Sequence, residues 1–471
     1  MKILLKKYGV LISSRLFTMN DQEKFSKFSA DSNPIHIDPT YARRTISGEC
    51  IVHGIHGLMW ALNEFLKEYA LIINSFAAQF HKQILLEKNV YLFWNSRNNK
   101  LIIADEDKLF TTISIEFSGS NCRENELDLK VGDALVFPKN LTLIECAEIE
   151  KSEFIYRGNI TYGKVLFPEL FENYSDEIAA EIASTSEIVG MQIPGLNSLF
   201  LSINGYLSAR EENPSFEVES VDLRFGLLKI KVQGRYLKCQ IEALYRPPSP
   251  NMPHINTLKY LFNCNEFSSV KALIIGGSRG LGELTAKLIA SGGGHVTITY
   301  CQGEADARKI QLEIIDCDSC CDILHLNITS SFILPLGDFN QIYYFPTPKI
   351  KPEEGRNSDL KLIDNYRLYY VDGFNSLVTQ VLIRSNLIRV FYPSTSFADN
   401  PPKKFIAYAK AKLEGESLSR QFNEKRGMNI LYPRLPRMAT DQTISITSET
   451  FHDSVQTMIP LIRKMTNELY L

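Results

Sequence analysis

The stretch VKALIIGGSRGLGELTAKLIASGGGHVTITY, residues 270–300, constrains the fold most, because it carries its element signals in a fixed order. An apolar, β-rich run from Ala272 to Ile275 meets a glycine loop, a helix-like stretch follows, and a second β-rich run spans His295 to Tyr300. Strand, tight turn, helix and strand within so short a span form a βαβ unit, which belongs to a parallel sheet. Glycine is needed where such a loop turns tightly and where backbone must approach a diphosphate. The N-terminus of the helix that follows then favours that anion.

Ahead of this unit lies YRPPSPNMPHINTLKYLF, residues 245–262, with four prolines in nine residues. Proline at that density breaks helix and strand alike, so the segment reads as a linker or domain edge. The chain has 471 residues, too many for one ordinary core, and two or three domains are expected. Before the linker, long strand-like segments such as KLFTTISIEFSG and FGLLKIKVQGRYLKCQIEALY dominate, which predicts an antiparallel α+β arrangement. This first half holds two similar units. ECIVHGIHGLMWALNEFLKEYA and SEIVGMQIPGLNSLFLSINGYLS each place a helix-like stretch before strands.

Charge excludes some functions. With 51 basic and 54 acidic residues, net −3, the chain lacks the cationic excess of a dedicated nucleic-acid or anionic-membrane binder. The leading MKILLKK run is too short for a signal-peptide core, no stretch is long enough to span a bilayer, and a cytoplasmic protein is expected. Nine cysteines in such a chain read as free thiols. Cys317, Cys320 and Cys321 make a CxxC step without a second pair at zinc-finger spacing, so no metal is expected there.

FSADSNPIHID, residues 28–38, concentrates polar chemistry ahead of an apolar helix. The Asn33–Pro34 step forces a turn, and Asn33 can bond local backbone. Asp31 and His36 then stand on either side of it, and a carboxylate and an imidazole that share one water form an acid/base pair for adding or removing water. Asp, Asn and Pro are also what an ordinary turn uses.

The stretch resembles the signature of the (R)-specific enoyl-CoA hydratases and MaoC-like dehydratases of the hot-dog fold. The likeness runs through Ala42 to IVHGIHGLMWAL and covers roughly residues 10–150. The resemblance implies that Asp31 and His36 activate the water and that Asn33 shapes the turn. It also implies that the helix start after His53 and Gly54 offers backbone N–H groups to the thioester oxygen. His56 is expected to be a packing or rim histidine. Ala30 stands where that family usually has Gly. The second unit lacks the Asp-x-Asn-Pro-x-His pattern and is expected to be a supporting, non-catalytic hot-dog half.

The glycine loop, with Gly276, Gly280 and Gly282, resembles that of the short-chain dehydrogenase/reductases, a likeness extending over roughly residues 268–440. YAKAK places Tyr408 and Lys412 four apart, on one helical face. In that family the lysine lowers the tyrosine pKa and the phenol passes a proton to or from the substrate oxygen. A family hydroxyl precedes the tyrosine by about thirteen residues, which lands on Thr395, flanked by Ser394 and Ser396, and the choice among them stays open. The resemblance assigns cofactor binding to Gly276, Ser278, Arg279, Gly280, Leu281, Gly282, Asn327, Tyr408, Lys412 and Thr440. TITYCQG lacks the acid that grips a ribose in NAD enzymes, and Ser278 and Arg279 suit a 2′-phosphate, so NADP(H) is expected. Departures are Ile275 before the loop, YYFPTPKI in place of Asn-Asn-Ala-Gly, and no catalytic Asn before DGFNSLV.

The expected layout is a hot-dog hydratase-like unit over 1–150, a second hot-dog unit over 151–246, a linker over 247–267 and a Rossmann domain over 268–471. A ketoreductase makes the β-hydroxyacyl thioester that an (R)-hydratase dehydrates, so the pairing implies a bifunctional acyl-thioester enzyme. Its partner is an acyl-CoA or acyl-carrier-protein thioester, with no nucleic acid and no membrane, and with room for a homo-oligomer. Two alternatives stand beside it: a hydratase fused to a weak or scaffolding reductase-like domain, and a non-catalytic acyl- or carrier-binding module.

Overall fold

A computed structural model describes residues 7–69, 71–118, 132–208, 211, 213–263, 265–334, 337–353, 356–385, 387–444 and 450–467. The chain divides into two compact units, residues 1–248 and 249–471.

The first unit is built on one antiparallel sheet of ten strands. These are β1 (Val10–Leu16), β2 (Ile72–Phe80), β3 (Asn89–Asn95), β4 (Lys100–Ala104), β5 (Leu109–Ser118), β6 (Ser152–Glu153), β7 (Ser198–Leu207), β8 (Ser215–Asp222), β9 (Leu227–Gln233) and β10 (Leu237–Tyr245). Their order is β1-β3-β4-β5-β2-β7-β10-β9-β8-β6. Read from both edges inward, the order is the same five-strand pattern twice, so the first half is a duplicated unit joined where β2 pairs antiparallel with β7. That seam runs from Ser75↔Tyr206 to Gln79↔Ser202.

Each repeat lays one apolar helix on the sheet. The first is Gly54–Tyr69, in which residues from Ile55 to Leu66 are almost all buried. The second starts earlier than the sequence suggested. Ser175 caps it, Asp176 and Glu177 favour its positive end, and it runs over Asp176–Glu187 into a π-turn, Ile188–Gln192. The IVGMQIPG stretch is therefore the end of this helix, not its beginning, and a single core spans both repeats.

The second unit holds a six-stranded parallel sheet. Its strands are β11 (Lys271–Ile275), β12 (His295–Tyr300), β13 (Cys321–His325), β14 (Gln341–Tyr344), β15 (Arg389–Phe391) and β17 (Asn429–Leu431). The two-residue β16 (Ser394–Thr395) and β18 (Arg434–Leu435) pair separately. The main order, β13-β12-β11-β14-β15-β17, is the doubly wound Rossmann arrangement, whose ligand crevice lies at the carboxyl ends where the order reverses beside β11. Part of the expected linker belongs to this unit: Ile255 and Leu258, on a short helical turn, are buried in its core. The units divide after Pro248, within the proline-rich segment, and the apolar pair three residues apart lies beyond that division.

Candidate functional site

The front-half site grows from the end of a capped helix. Thr18 and Asp21 form a capping box at the start of Met19–Ser29, and the helix ends on Ala30 in the left-handed region, φ 61°. The Ala30 methyl thus sits in a conformation glycine would adopt freely, the physical reason for a family preference there. The turn delivers Asp31 into the interior at 2% exposure. Asn33 caps the Pro34–Ile37 turn by accepting from the Ile35 N–H at 3.2 Å, while its Nδ2 donates to the Gly190 carbonyl (2.8 Å) and the Gly195 carbonyl (3.2 Å). Its role in shaping the turn is therefore played across both repeats.

His36 Nδ1 lies 2.8 Å from the Ile51 carbonyl, which can only accept, so Nδ1 carries the proton and Nε2 keeps its lone pair. Burial, opposed by that hydrogen bond and reinforced by the Arg246 charge, pushes His36 down to about 4, so it is neutral near pH 7. Asp31 is moved the other way. Burial raises it to about 6, against hydrogen bonds from the Ser186 hydroxyl (2.7 Å) and the Asn33 N–H (3.1 Å). His53 is fully buried. Its Nε2 stands 3.1 Å from the Asp31 carbonyl and 3.9 Å from its carboxylate, and its ring stacks on His36 with centroids 3.7 Å apart. Its side chain thus braces the other two, and Gly54, next along the chain, opens the helix. His56 is a packing histidine, as expected: its ring stacks on Phe25 and Gln22 links its Nδ1 to His53.

One atom each from Asp31, His36 and His53 lies within 4.8 Å of the others, close enough to enclose a single small ligand. This is a set that could also hold a cation, which spacing alone did not suggest. Of the cysteines in the CxxC step, Cys317 donates to Asn256, Cys321 is buried and Cys320 is exposed.

The second repeat is not a passive support. Ser186 and Gly190, both on its helix, touch Asp31, and a Cβ on Gly190 would meet the Asp31 carboxylate at 2.4 Å. The π-turn carries that glycine, and π-turns often reshape helices at functional sites. Glu187 is buried beside them and raised to about 7, by burial against the Arg157 charge and the Gln192 hydrogen bond, with the Asp31 charge adding to the rise. The sequence signal for these residues was STS inside an apolar helix, since hydroxyls buried in a core need partners.

In the rear unit the glycine loop follows β11. Gly276 and Gly280 have φ of 76° and 57°, and the Gly276 and Gly277 N–H groups donate to Thr299. A Cβ on Gly282 would lie 2.3 Å from the Gly276 carbonyl, so this turn closes only on glycine. The Gly280–Ser291 helix opens on Arg279 with no side-chain cap, leaving its first N–H groups toward the crevice. Ser278 is buried in the loop and Leu281 packs on the core beneath. Arg279 ion-pairs with Asp441 at 2.5 Å, and Lys349 donates to the Asp441 carbonyl at 3.2 Å. Thr440 packs near Gly280 and bonds Thr443. Asn327 spends its carboxamide oxygen on Thr329, at 3.0 and 2.8 Å. The glycines and the open helix start form a cradle that fits a dinucleotide diphosphate, with Arg279 beside it paired to Asp441.

Tyr408 and Lys412 share one face of the Ile406–Arg426 helix. Burial raises the phenol to about 12, and a hydrogen bond with Thr395 opposes the rise. Ser394 is directed elsewhere: its hydroxyl donates to Glu416 at 2.5 Å, which also pairs with Arg434. Of the three neighbouring hydroxyls, Thr395 is therefore the one bonded to the phenol, and Ser394 is a structural tie. Lys412 donates to the Pro393 carbonyl at 2.7 Å and lies 4.0 Å over the Tyr370 ring. Burial lowers it to about 7. The depression of the phenol expected from the lysine is not seen: burial sets the direction of the shift, and the only opposing influence is the Thr395 hydrogen bond.

The first unit pairs a duplicated antiparallel sheet with an acid–imidazole turn, and the second has the Rossmann strand order. Residues 10–105 match the family model of the MaoC like domain. Among curated proteins, none matches the chain. Solved structures similar to this chain include a short-chain dehydrogenase from Shigella flexneri 2a complexed with NADP. It is 14% identical, with 44% of this chain and 93% of that one covered and a TM-score of 0.38. An oxidoreductase, yciK, from E. coli is 14% identical over 44% and 91%, with a TM-score of 0.37. FolM alternative dihydrofolate reductase 1 from Brucella suis, in complex with NADP, is 14% identical over 36% and 73%, with a TM-score of 0.32. The Rossmann assignment rests on the strand order itself.

No helix among the described residues is long and apolar enough to cross a membrane.

Proposed function

We propose that the chain is a bifunctional acyl-thioester enzyme: the front unit interconverts (R)-3-hydroxyacyl and 2-enoyl thioesters by removing or adding water, and the rear unit reduces 3-oxoacyl thioesters with NADP(H). The observation that carries the first activity is the convergence of Asp31, His36 and His53 around one small space. A carboxyl group poised near 6 gives or takes a proton at neutral pH with little driving force lost. His36, neutral with its Nε2 lone pair free, accepts a hydrogen bond from the same water. In hydration, Asp31 takes a proton from the water as its oxygen bonds C3 and the C2=C3 electrons move onto the thioester oxygen, which the Gly54 helix start stabilises; the proton on Asp31 then passes to C2 as the carbonyl re-forms. Dehydration reverses these roles.

In the rear unit, NADP(H) supplies or accepts a hydride when bound. Gly276, Gly280 and Gly282 with the helix start would hold its diphosphate, and Arg279 its 2′-phosphate. Tyr408, tied to Thr395, holds the proton for the substrate oxygen, and Lys412 anchors the helix turn beneath it. The preference for NADP(H) rests on Arg279 and on the missing acid after β12. The thioester carrier is CoA or an acyl carrier protein.

Two assays on the full chain test the proposal. Crotonyl thioester hydration is followed by loss of enoyl absorbance, and NADPH oxidation is measured with an acetoacetyl thioester. Hydration lost in Asp31→Asn with the fold intact supports the first activity; hydration retained removes it. A wild-type chain that hydrates but never oxidises NADPH leaves the second reading, a reductase-like scaffold. The Arg279–Asp441 pair favours that reading, because it sets a carboxylate where a phosphate must come.

A further inference from the structure

Arg246 is among the largest fully buried side chains of the molecule, at 1% exposure. It follows β10, and its own N–H donates to the Asn197 carbonyl at 2.7 Å. The guanidinium turns toward the Asp31–His36 turn. Its Nη2 donates to the Leu196 carbonyl at 2.8 Å and to the Tyr41 hydroxyl at 3.2 Å. Asn33 Nδ2 reaches the same Leu196 carbonyl at 3.5 Å, so one oxygen separates Arg246 from the catalytic turn. Nε makes no hydrogen bond, and among the described residues no carboxylate pairs with the group.

A guanidinium cannot shed its charge by losing a proton, and a buried ion without a counter-ion costs several kcal/mol. The acids of the surrounding elements are already engaged. Asp31 accepts from Ser186 and Asn33, Asp38 from the N–H groups of Thr40 and Tyr41, and Glu187 from Gln192 and Arg157. Among the described residues no acid is left to pair with the guanidinium, which makes it a site for an anion brought by a ligand. A carrier's phosphates are multiply charged and strongly hydrated, and suit the mouth of a site. A single carboxylate on the acyl chain suits a buried fork beside Asn33.

We infer that the front unit takes 2-enoyl and 3-hydroxyacyl thioesters whose acyl chain carries a terminal carboxylate, and that Arg246 pairs with that carboxylate. The inference rests on the hydratase reading and narrows its substrate class.

The test uses the full chain with crotonyl-N-acetylcysteamine, 4-carboxybut-2-enoyl-N-acetylcysteamine and crotonyl-CoA. Wild type is expected to favour the carboxylated acyl group over crotonyl on the same carrier by at least tenfold in kcat/KM. That ratio is expected to collapse toward one in Arg246→Met and to survive in part in Arg246→Lys, which keeps the charge but not the fork. No preference in wild type, or a preference unchanged in Arg246→Met, overturns the inference. A preference for crotonyl-CoA over crotonyl-N-acetylcysteamine that Arg246→Met erases also overturns it, by assigning the arginine to carrier phosphate. Thermal shift with glutarate separates the two levels. Stabilisation of wild type but not of Arg246→Met supports the carboxylate site even where no thioester is hydrated, an outcome that would sink the hydratase reading alone. Arg246→Lys serves as the folded variant if Arg246→Met does not fold.

Discussion

Asp31 sits at the centre of an electrostatic conflict, and its consequences can be measured. Its folded pKa of about 6 lies above the ordinary carboxylate value near 3.9, so the folded state holds the proton more tightly than the unfolded one. The stability that this proton contributes is present below about pH 4 and is lost as pH rises through about 6. Asp31→Asn is therefore expected to be more stable than wild type at pH 7, by up to about 3 kcal/mol, with the gap closing by pH 4 in denaturant titrations. Hydration, which needs the ionised form, is expected to rise with pH through an apparent pKa near 6. The Ser186 hydroxyl favours the carboxylate, so Ser186→Ala should move that limb to higher pH and slow hydration at pH 6 more than at pH 8. A limb that stays in place would remove Ser186 from the site. Asp31, Asn33 and His36 were legible in eleven residues of sequence because a proline turn holds them together locally. Ser186 and Arg246 were not, since 155 residues separate Ser186 from its carboxylate and only packing joins them.

At the scale of elements, backbone approach decides both sites. Gly190 lets the second repeat's helix pass against Asp31, and Gly190→Ala would drive a methyl into the carboxylate. The expected cost is about 1–3 kcal/mol of stability and most of the hydration activity, read by thermal unfolding and by the crotonyl assay. Gly282→Ala meets the Gly276 carbonyl in the same way and should abolish NADPH binding, measured by fluorescence titration, while hydration persists. The rear βαβ unit was readable because strand, glycine loop and helix follow one another directly. The second repeat's helix was placed late, because the conspicuous IPG stretch ends it while the plainer DEIAAEIASTSE segment forms it.

The whole molecule joins the two repeats through the β2–β7 seam and one shared core. Residues 1–150 alone would leave β2 an open edge and half a core exposed, so they should not give a cooperatively folding monomer, whereas residues 1–248 should. Size-exclusion chromatography and thermal circular dichroism check this, and a stable monomer from 1–150 would contradict the composite site. The sequence alone determined the strand–glycine–helix unit and the acid–imidazole turn, because each is written in residues close along the chain. Tertiary structure decided which hydroxyl meets Tyr408, that a second helix steadies Asp31, and that Arg246 is buried with no carboxylate partner among the described residues. Those outcomes depend on distances between segments far apart in sequence, which local pattern does not encode and close packing fixes.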